Sequence, residues 1–86
     1  MNYKELRSID LEDLMQSLTN SIYKLEQKIN KGETLDEYHT EEYRRKKNML
    51  EDVKAEYSSR GMNSEEYVNG IISNIVNREK DDDIER

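Results

Sequence analysis

The chain has 86 residues, of which 40% are charged and 33% are hydrophobic, and its formal net charge is −6. This length allows one domain at most, and the low hydrophobic content allows only a thin core. The absence of cysteine excludes disulfides and thiolate metal sites. No run of about 20 apolar residues is present to span a membrane, and residues 1–6 do not resemble a signal peptide. We therefore expect a cytoplasmic protein that binds neither nucleic acid nor anionic membranes directly, because its surface is acidic.

The first predicted helix covers residues 10–31. Its apolar residues recur at spacings of three and four, as on one face of a helix. They are Leu11, Leu14, Met15, Leu18, Ile22, Leu25 and Ile29. Asp10 is predicted to cap this helix, with Asp13 at the third position of a capping box. Gly32 is predicted to supply the left-handed residue that ends it.

The second predicted helix covers residues 35–60 and ends before Gly61, with a start between Thr34 and Thr40. Its inward stripe is predicted to contain Tyr43, Leu50, Val53 and Tyr57. Lys46 falls within that stripe. A lysine there must extend its ammonium group to water, so the seam is expected to be narrow or partly open at this point.

The third predicted helix covers residues 64–79 and opens at Asn63 or Ser64. It is the most hydrophobic stretch, and its isoleucines and valines also suit a strand. Helix is favoured by their spacing of three and four and by the absence of a strand to pair with. Residues 80–86 are predicted to form a flexible charged tail.

These elements predict an all-α fold with a single helical domain over residues 1–79. The first two helices are expected to form an antiparallel hairpin because the loop between them is short. The third helix is expected to cover the open side of their seam. Its apolar stripe could also pack across a two-fold axis, so a homodimer is an alternative.

The sequence offers little for catalysis. His39 is the only histidine, there is no cysteine, and the three glycines form no phosphate-binding loop. Carboxylates are abundant, but acid–base work needs a concave site that shifts their pKa values. A thin helical domain has little room for one. We therefore expect a protein that is not an enzyme and holds no cofactor and no metal.

The acidic residues form several clusters at the edges of the predicted helices. We predict that they contact a basic partner: Asp10, Glu12, Asp13, Glu37, Glu41, Glu51, Asp52, Glu65, Glu66, Asp81, Asp82 and Asp83. Each cluster alone has an ordinary explanation, since carboxylates at a helix start favour the helix dipole. Together they resemble the spaced phosphates of a duplex, which could occupy a groove shaped for DNA.

One basic run, residues 44–47, interrupts this acidic pattern. Glu41 precedes Arg45 by four residues and Glu42 precedes Lys46 by four, the favourable order for ion pairs on a helix. Glu51 can form an ion pair with Lys47 in the same way. The run is therefore expected to be a charge-compensated helix surface. The alternative is a basic strip that faces an acidic patch of a partner or of a second subunit.

In size, acidity and lack of enzymatic motifs, the whole chain resembles the small acidic phage proteins that inhibit host DNA-binding proteins by mimicking DNA. Phage inhibitors of the bacterial histone-like protein HU are the members it is most similar to. No specific motif carries the resemblance, and the basic run departs from it. The resemblance implies a phage protein whose acidic residues lie against the lysines and arginines of an HU-like host protein and exclude DNA.

A second resemblance concerns the helix–loop–helix order of residues 11–57. It is similar to the helical hairpin of sporulation aspartyl-phosphate phosphatases, which carry a Ser-Gln-x-Leu-Asp signature. The corresponding residues here, 47–51, retain only Leu50 of that signature, so phosphatase activity is not expected. A helical adaptor or phage assembly protein, acting through its apolar third helix, is the remaining alternative.

Overall fold

The computed structural model describes residues 2–84, with side chains described for residues 2–78. A short 3₁₀ turn, Tyr3–Glu5, precedes three helices. These are α1 (Ser8–Asn30), α2 (Glu37–Ser59) and α3 (Ser64–Ile84). No strand occurs between residues 2 and 84, so the predicted all-α, three-helix fold is confirmed.

The start of α1 differs from the prediction. The helix begins at Ser8, and Arg7 rather than Asp10 is the capping residue. Asp10 occupies the third helical position and reaches back, so that its Oδ2 accepts the Arg7 backbone N–H at 3.2 Å. The same carboxylate also accepts the Arg7 Nε–H at 3.2 Å. A carboxylate at the third position of a helix can accept a free backbone N–H just as a capping residue does. Asp10 was therefore taken for the cap, and the predicted start of the helix was too late.

Both glycine stops are confirmed. Gly32 has a φ of 85° and Gly61 a φ of 86°, values that favour residues without a Cβ. After α1, the Gly32 N–H donates to the Ile29 carbonyl and the Glu33 N–H to the Lys28 carbonyl, both at 3.0 Å. This pattern is a Schellman motif. It turns the chain sharply enough for α2 to return along α1.

The starts of α2 and α3 lie within their predicted windows. Asp36 caps α2, because its Oδ1 accepts the His39 backbone N–H at 2.7 Å. Asn63 caps α3, because its Oδ1 accepts the Glu66 backbone N–H at 3.0 Å. Each cap satisfies a backbone donor that has no partner inside its helix.

Side-chain hydrogen bonds show how the helices are arranged. Glu12 bonds to Tyr57, and Glu26 bonds to Tyr43, so α1 and α2 run antiparallel over most of their length. Gln16 bonds to Tyr67, which places the start of α3 beside the first half of α1. The buried cluster between the helices consists of Leu11, Met15, Leu18, Val53, Tyr57 and Val68.

The third helix diverges from the hairpin. The molecule measures 43 × 34 × 15 Å. Three nearly parallel helices with axes about 8–10 Å apart would be narrow in two directions. Because α1 and α2 stay in contact along their length, the extra width comes from α3. As a result Ile72, midway along α3, is 37% exposed, and the helix covers the seam less completely than predicted.

The predicted end of the third helix at Glu79 is wrong. The helix continues to Ile84, so residues 80–84, predicted to belong to a flexible tail, have helical backbone. No proline or glycine follows Gly70, so the sequence contains no residue that would stop the helix earlier. Residues 85 and 86 of that tail lie outside the described residues.

Candidate protein-binding surfaces

The fold brings five of the predicted acidic residues to one end of the molecule, because α1 and α3 both start there. This acidic end consists of Asp10, Glu12 and Asp13 of α1 and Glu65 and Glu66 of α3. Glu37 and Glu41 lie at the opposite end, at the start of α2. Glu51 and Asp52 lie in the second half of α2. The side chains of Asp81, Asp82 and Asp83 lie outside the described part, so the structure does not place them.

Three carboxylates of the acidic end already serve the fold. Asp10 is held by Arg7, and this hydrogen bond lowers the pKa of Asp10. Glu12 accepts the Tyr57 hydroxyl at 2.7 Å. This bond and burial raise the pKa of Tyr57 to about 12. Glu65 pairs with Lys54 at 2.7 Å and thereby links α3 to α2.

The other two carboxylates of the acidic end remain available to a partner. Asp13 and Glu66 are exposed, and neither forms an ion pair with another described residue. Glu66 has one long hydrogen bond, from the Asn63 side-chain amide at 3.5 Å. Two of the five carboxylates at this end can thus meet a cation without first breaking an ion pair.

On α2, Glu37 and Asp52 are exposed and likewise form no ion pair within the described residues. Glu41 lies 4.0 Å from Arg44. Glu51 lies 3.8 Å from Lys54. Both pairs involve a well-exposed carboxylate, and such contacts contribute little.

The basic run is compensated only in part, and not always by the predicted partners. Lys46 pairs with Glu42 at 2.6 Å, as predicted, and this hydrogen bond lowers the pKa of Glu42. Glu41 pairs with Arg44 instead of Arg45. Lys47 lies over the Tyr43 ring, 5.1 Å from its centroid. Only one of the ion pairs predicted at a spacing of four residues forms. Charged side chains can also pair at a spacing of three residues or lie on an aromatic ring.

His39 has a structural role at the start of α2. Its Nδ1 lies 2.7 Å from Asp36 Oδ1, the same oxygen that accepts its backbone N–H. These two bonds lower the pKa of Asp36. Between residues 2 and 78, no group of three or more acidic or histidine side chains could hold a metal ion. The described helices also include none that is long and apolar enough to cross a membrane.

An open groove of about 580 Å³ lies beside the acidic end, between α1 and the first half of α3. We call it the tyrosine groove. Its lining consists of Gln16, Tyr57, Met62, Asn63, Glu66, Tyr67, Gly70, Ile71 and Asn74. Gln16 donates its Nε2–H to the Tyr67 hydroxyl at 2.8 Å, and the Tyr57 and Tyr67 rings lie 5.7 Å apart.

Sequence reasoning did not identify this groove. It placed Tyr57 in the inward stripe of the second helix and assigned it no contact with the third helix. One signal was present, since Gly70 lies in the middle of a helix where glycine is unfavourable. The role of Arg60 was also not predicted. Its guanidinium donates to the Tyr3 carbonyl at 3.1 Å and to the Glu56 carboxylate at 2.9 Å. Arg60 thus ties the 3₁₀ turn to α2.

Comparison of the chain with protein-family models, with curated proteins and with solved structures gave no match.

Proposed function

We propose that the protein is a non-enzymatic inhibitor that occupies the basic DNA-binding surface of an HU-like bacterial host protein and thereby excludes DNA. One observation carries the proposal. Four of the predicted contact residues, Asp13, Glu37, Asp52 and Glu66, are exposed and unpaired among the described residues. Exposed carboxylates that need not break an internal ion pair can attract and orient a basic partner.

The geometry of α2 supports this proposal. Glu37 and Asp52 are fifteen residues apart, which is about 22 Å along a helix axis. That length corresponds to about six base pairs of a duplex at 3.4 Å each. Between them, the basic run is compensated in part, because Glu42 pairs with Lys46 and Glu41 lies 4.0 Å from Arg44. It therefore opposes a cationic partner less than its sequence alone suggests.

The chain end adds to the negative charge. Residues 79–86 contain five acidic and two basic residues, which accounts for half of the net charge of −6. The last helical turns, which include residues 81–83, carry acidic residues at consecutive positions. We propose that they extend the acidic contact beyond the helical body.

The experiment is a pull-down from a bacterial lysate at low salt, followed by a titration of purified HU with and without duplex DNA. We expect HU to be retained, released by rising salt and displaced by DNA, because charge attraction is screened over about 8 Å at physiological ionic strength. Recovery of only salt-resistant partners would contradict the proposal.

A pair of matched variants tests the surface itself. Glu37→Gln with Asp52→Asn removes two unpaired carboxylates from α2. Glu5→Gln with Glu33→Gln removes the same charge from two other exposed positions. We expect the first pair to weaken binding more than the second, with circular dichroism unchanged in both. Equal weakening would mean that net charge alone matters and that the α2 surface is not the contact.

A second function, a helical adaptor that acts through α3, is favoured by a different observation. Ile72 is 37% exposed, and Ile75 and Val76 are only half-buried, on a helix that diverges from the hairpin. Association through this face would be salt-tolerant, because apolar burial is not screened. Ile72→Ser should then abolish association and leave a folded monomer in analytical ultracentrifugation. If Ile72→Ser associates like the wild type, the adaptor proposal fails.

A further inference from the structure

The tyrosine groove has a chemical character that differs from the rest of the acidic end. None of its nine lining residues is a lysine or an arginine. The lining includes the Glu66 carboxylate, the Tyr57 and Tyr67 rings and several residues of α3. Immediately behind the groove, the Glu12 carboxylate accepts the Tyr57 hydroxyl at 2.7 Å, so a second negative charge stands close by.

Gly70 of α3 lines the groove, and the backbone of the helix does not require a glycine at this position. Its φ is not positive, since the two positive-φ glycines are Gly32 and Gly61. A Cβ at position 70 would meet no atom within 4 Å. A glycine inside a helix nevertheless costs about 1 kcal/mol relative to alanine. Glycine leaves the helix backbone uncovered where it lines the groove, so a partner group can approach it closely.

We infer that the tyrosine groove binds an arginine side chain of the protein's basic partner. A guanidinium carries five N–H donors and no acceptor. It therefore suits a groove that offers a carboxylate, phenol oxygens and side-chain amide oxygens. Its planar face stacks on aromatic rings, and the Tyr67 ring is available from the groove. Its methylene groups can lie on Met62 and Ile71.

Lysine fits the same groove less well. An ammonium is a compact charge with three donors and has no flat face to stack on a tyrosine ring. The pairing of Gln16 with Tyr67 at 2.8 Å also fixes the phenol ring in place before the partner arrives. A pre-oriented ring favours the planar group, because less side-chain freedom is lost on binding.

This inference rests on the proposed function, since it names the chemistry by which the partner's basic surface is recognised. The direct test uses the full chain labelled with nitrogen-15 and three blocked tripeptides, acetyl-Gly-X-Gly-amide, where X is arginine, lysine or citrulline. Citrulline keeps the shape of arginine and removes its charge. We expect the arginine peptide to cause saturable chemical-shift changes at the Gly70 amide and the Gln16 side-chain amide. The lysine peptide should bind more weakly, and the citrulline peptide should leave both signals unchanged.

Two variants complete the test. Gly70→Leu places a side chain into the open space of the groove and should weaken binding of the arginine peptide by about tenfold or more. Asn69→Leu makes the same kind of change at an exposed neighbour that does not line the groove, and should bind like the wild type. The inference is overturned if Gly70→Leu still binds the arginine peptide, or if the citrulline peptide causes equal chemical-shift changes. It is also overturned if the changes are spread evenly over the amides near all exposed carboxylates.

The same variants, titrated with purified HU, separate this inference from the proposed function. If the wild type and Gly70→Leu bind HU equally well, the inference about the groove is overturned and the proposed function stands. If the arginine peptide binds at Gly70 but HU does not bind the wild type, the proposed function is overturned and the groove stands as an arginine site.

Discussion

The hydrogen bond between Tyr57 and Glu12 makes a quantitative prediction about stability. Tyr57 is only 5% exposed, and its hydroxyl lies 2.7 Å from the Glu12 carboxylate. A hydrogen bond to a charged acceptor contributes about 1.5–3 kcal/mol. The lower half of that range applies here, because Glu12 is half-buried and its carboxylate keeps some access to water. Phenylalanine would preserve the ring contact with Tyr67, so Tyr57→Phe should remove the bond without opening a cavity.

We therefore expect Tyr57→Phe to lower the free energy of unfolding by about 1.5–2 kcal/mol. For a domain of this size, that corresponds to a fall in Tm of about 6–16 °C. The assay is thermal and urea denaturation at pH 7, followed by circular dichroism at 222 nm. Tyr38→Phe is the matched control, because Tyr38 is 68% exposed and its hydroxyl has no bonded partner in the described part of the chain. It should leave Tm unchanged.

The pH dependence gives an independent check. The pKa of Tyr57 is raised to about 12 by the hydrogen bond to Glu12 and by burial. Because the folded-state pKa lies above the ordinary value of 10, the bond contributes fully from neutral pH up to about pH 10. Its contribution is lost as the pH rises through about 12. A loss below about 0.5 kcal/mol in Tyr57→Phe, or a phenol that ionises at its ordinary pKa in ultraviolet titration, would refute this account of the bond.

Three further predictions follow from the same structure. Thr19 is 4% exposed and its hydroxyl has no hydrogen-bond partner in the described part of the chain, so Thr19→Val should raise the free energy of unfolding by about 1–2 kcal/mol in urea denaturation; a loss would contradict this. Arg60→Met should free the 3₁₀ turn from α2, cost about 1.5–3 kcal/mol and speed trypsin cleavage after Lys4; unchanged cleavage would mean that the turn is held elsewhere. Hydrogen bonds lower the pKa values of Asp36 and Glu42, so their contribution to the free energy of unfolding is present above their ordinary pKa values and is lost as the pH falls through the lowered ones. Urea denaturation should therefore show constant stability from about pH 7 to 5 and a decline below about pH 4. Constant stability down to pH 2 would contradict this prediction.

Helix content and the two glycine stops were the most predictable part of this protein. The stripe of α1 and the two left-handed glycines rest on local rules of spacing and backbone conformation, and the structure follows both. Asp10 shows a helix start that such local rules do not determine. A carboxylate near a helix start can act as the cap or reach back from the third position, and only the neighbouring Arg7 decides between them. The end of α3 was misjudged for a similar reason, because charge alone does not stop a helix.

The candidate site was less predictable, because its geometry depends on contacts far apart in the sequence. The tyrosine groove joins Gln16 to Tyr67, which are 51 residues apart. Its formation depends on where α3 leaves the hairpin. Ile72 illustrates the same limit. Its spacing placed it in the core stripe, but the divergence of α3 leaves it 37% exposed. Periodicity shows which residues share a face, and does not show how far along a helix its neighbour stays in contact.

The acidic residues divide into two classes that their sequence does not distinguish. Asp10, Glu12 and Glu65 are already bonded to Arg7, Tyr57 and Lys54. A partner cation that approached them would compete with an existing bond and recover only the difference. Asp13, Glu37, Asp52 and Glu66 form no ion pair among the described residues, so they carry no such cost, and we expect them to set the orientation of a basic partner and the salt dependence of its binding. Neutralising a bonded carboxylate would lower stability and binding together. Only substitution of the unpaired class can show that the acidic surface acts on a partner and does not merely hold the three helices in place.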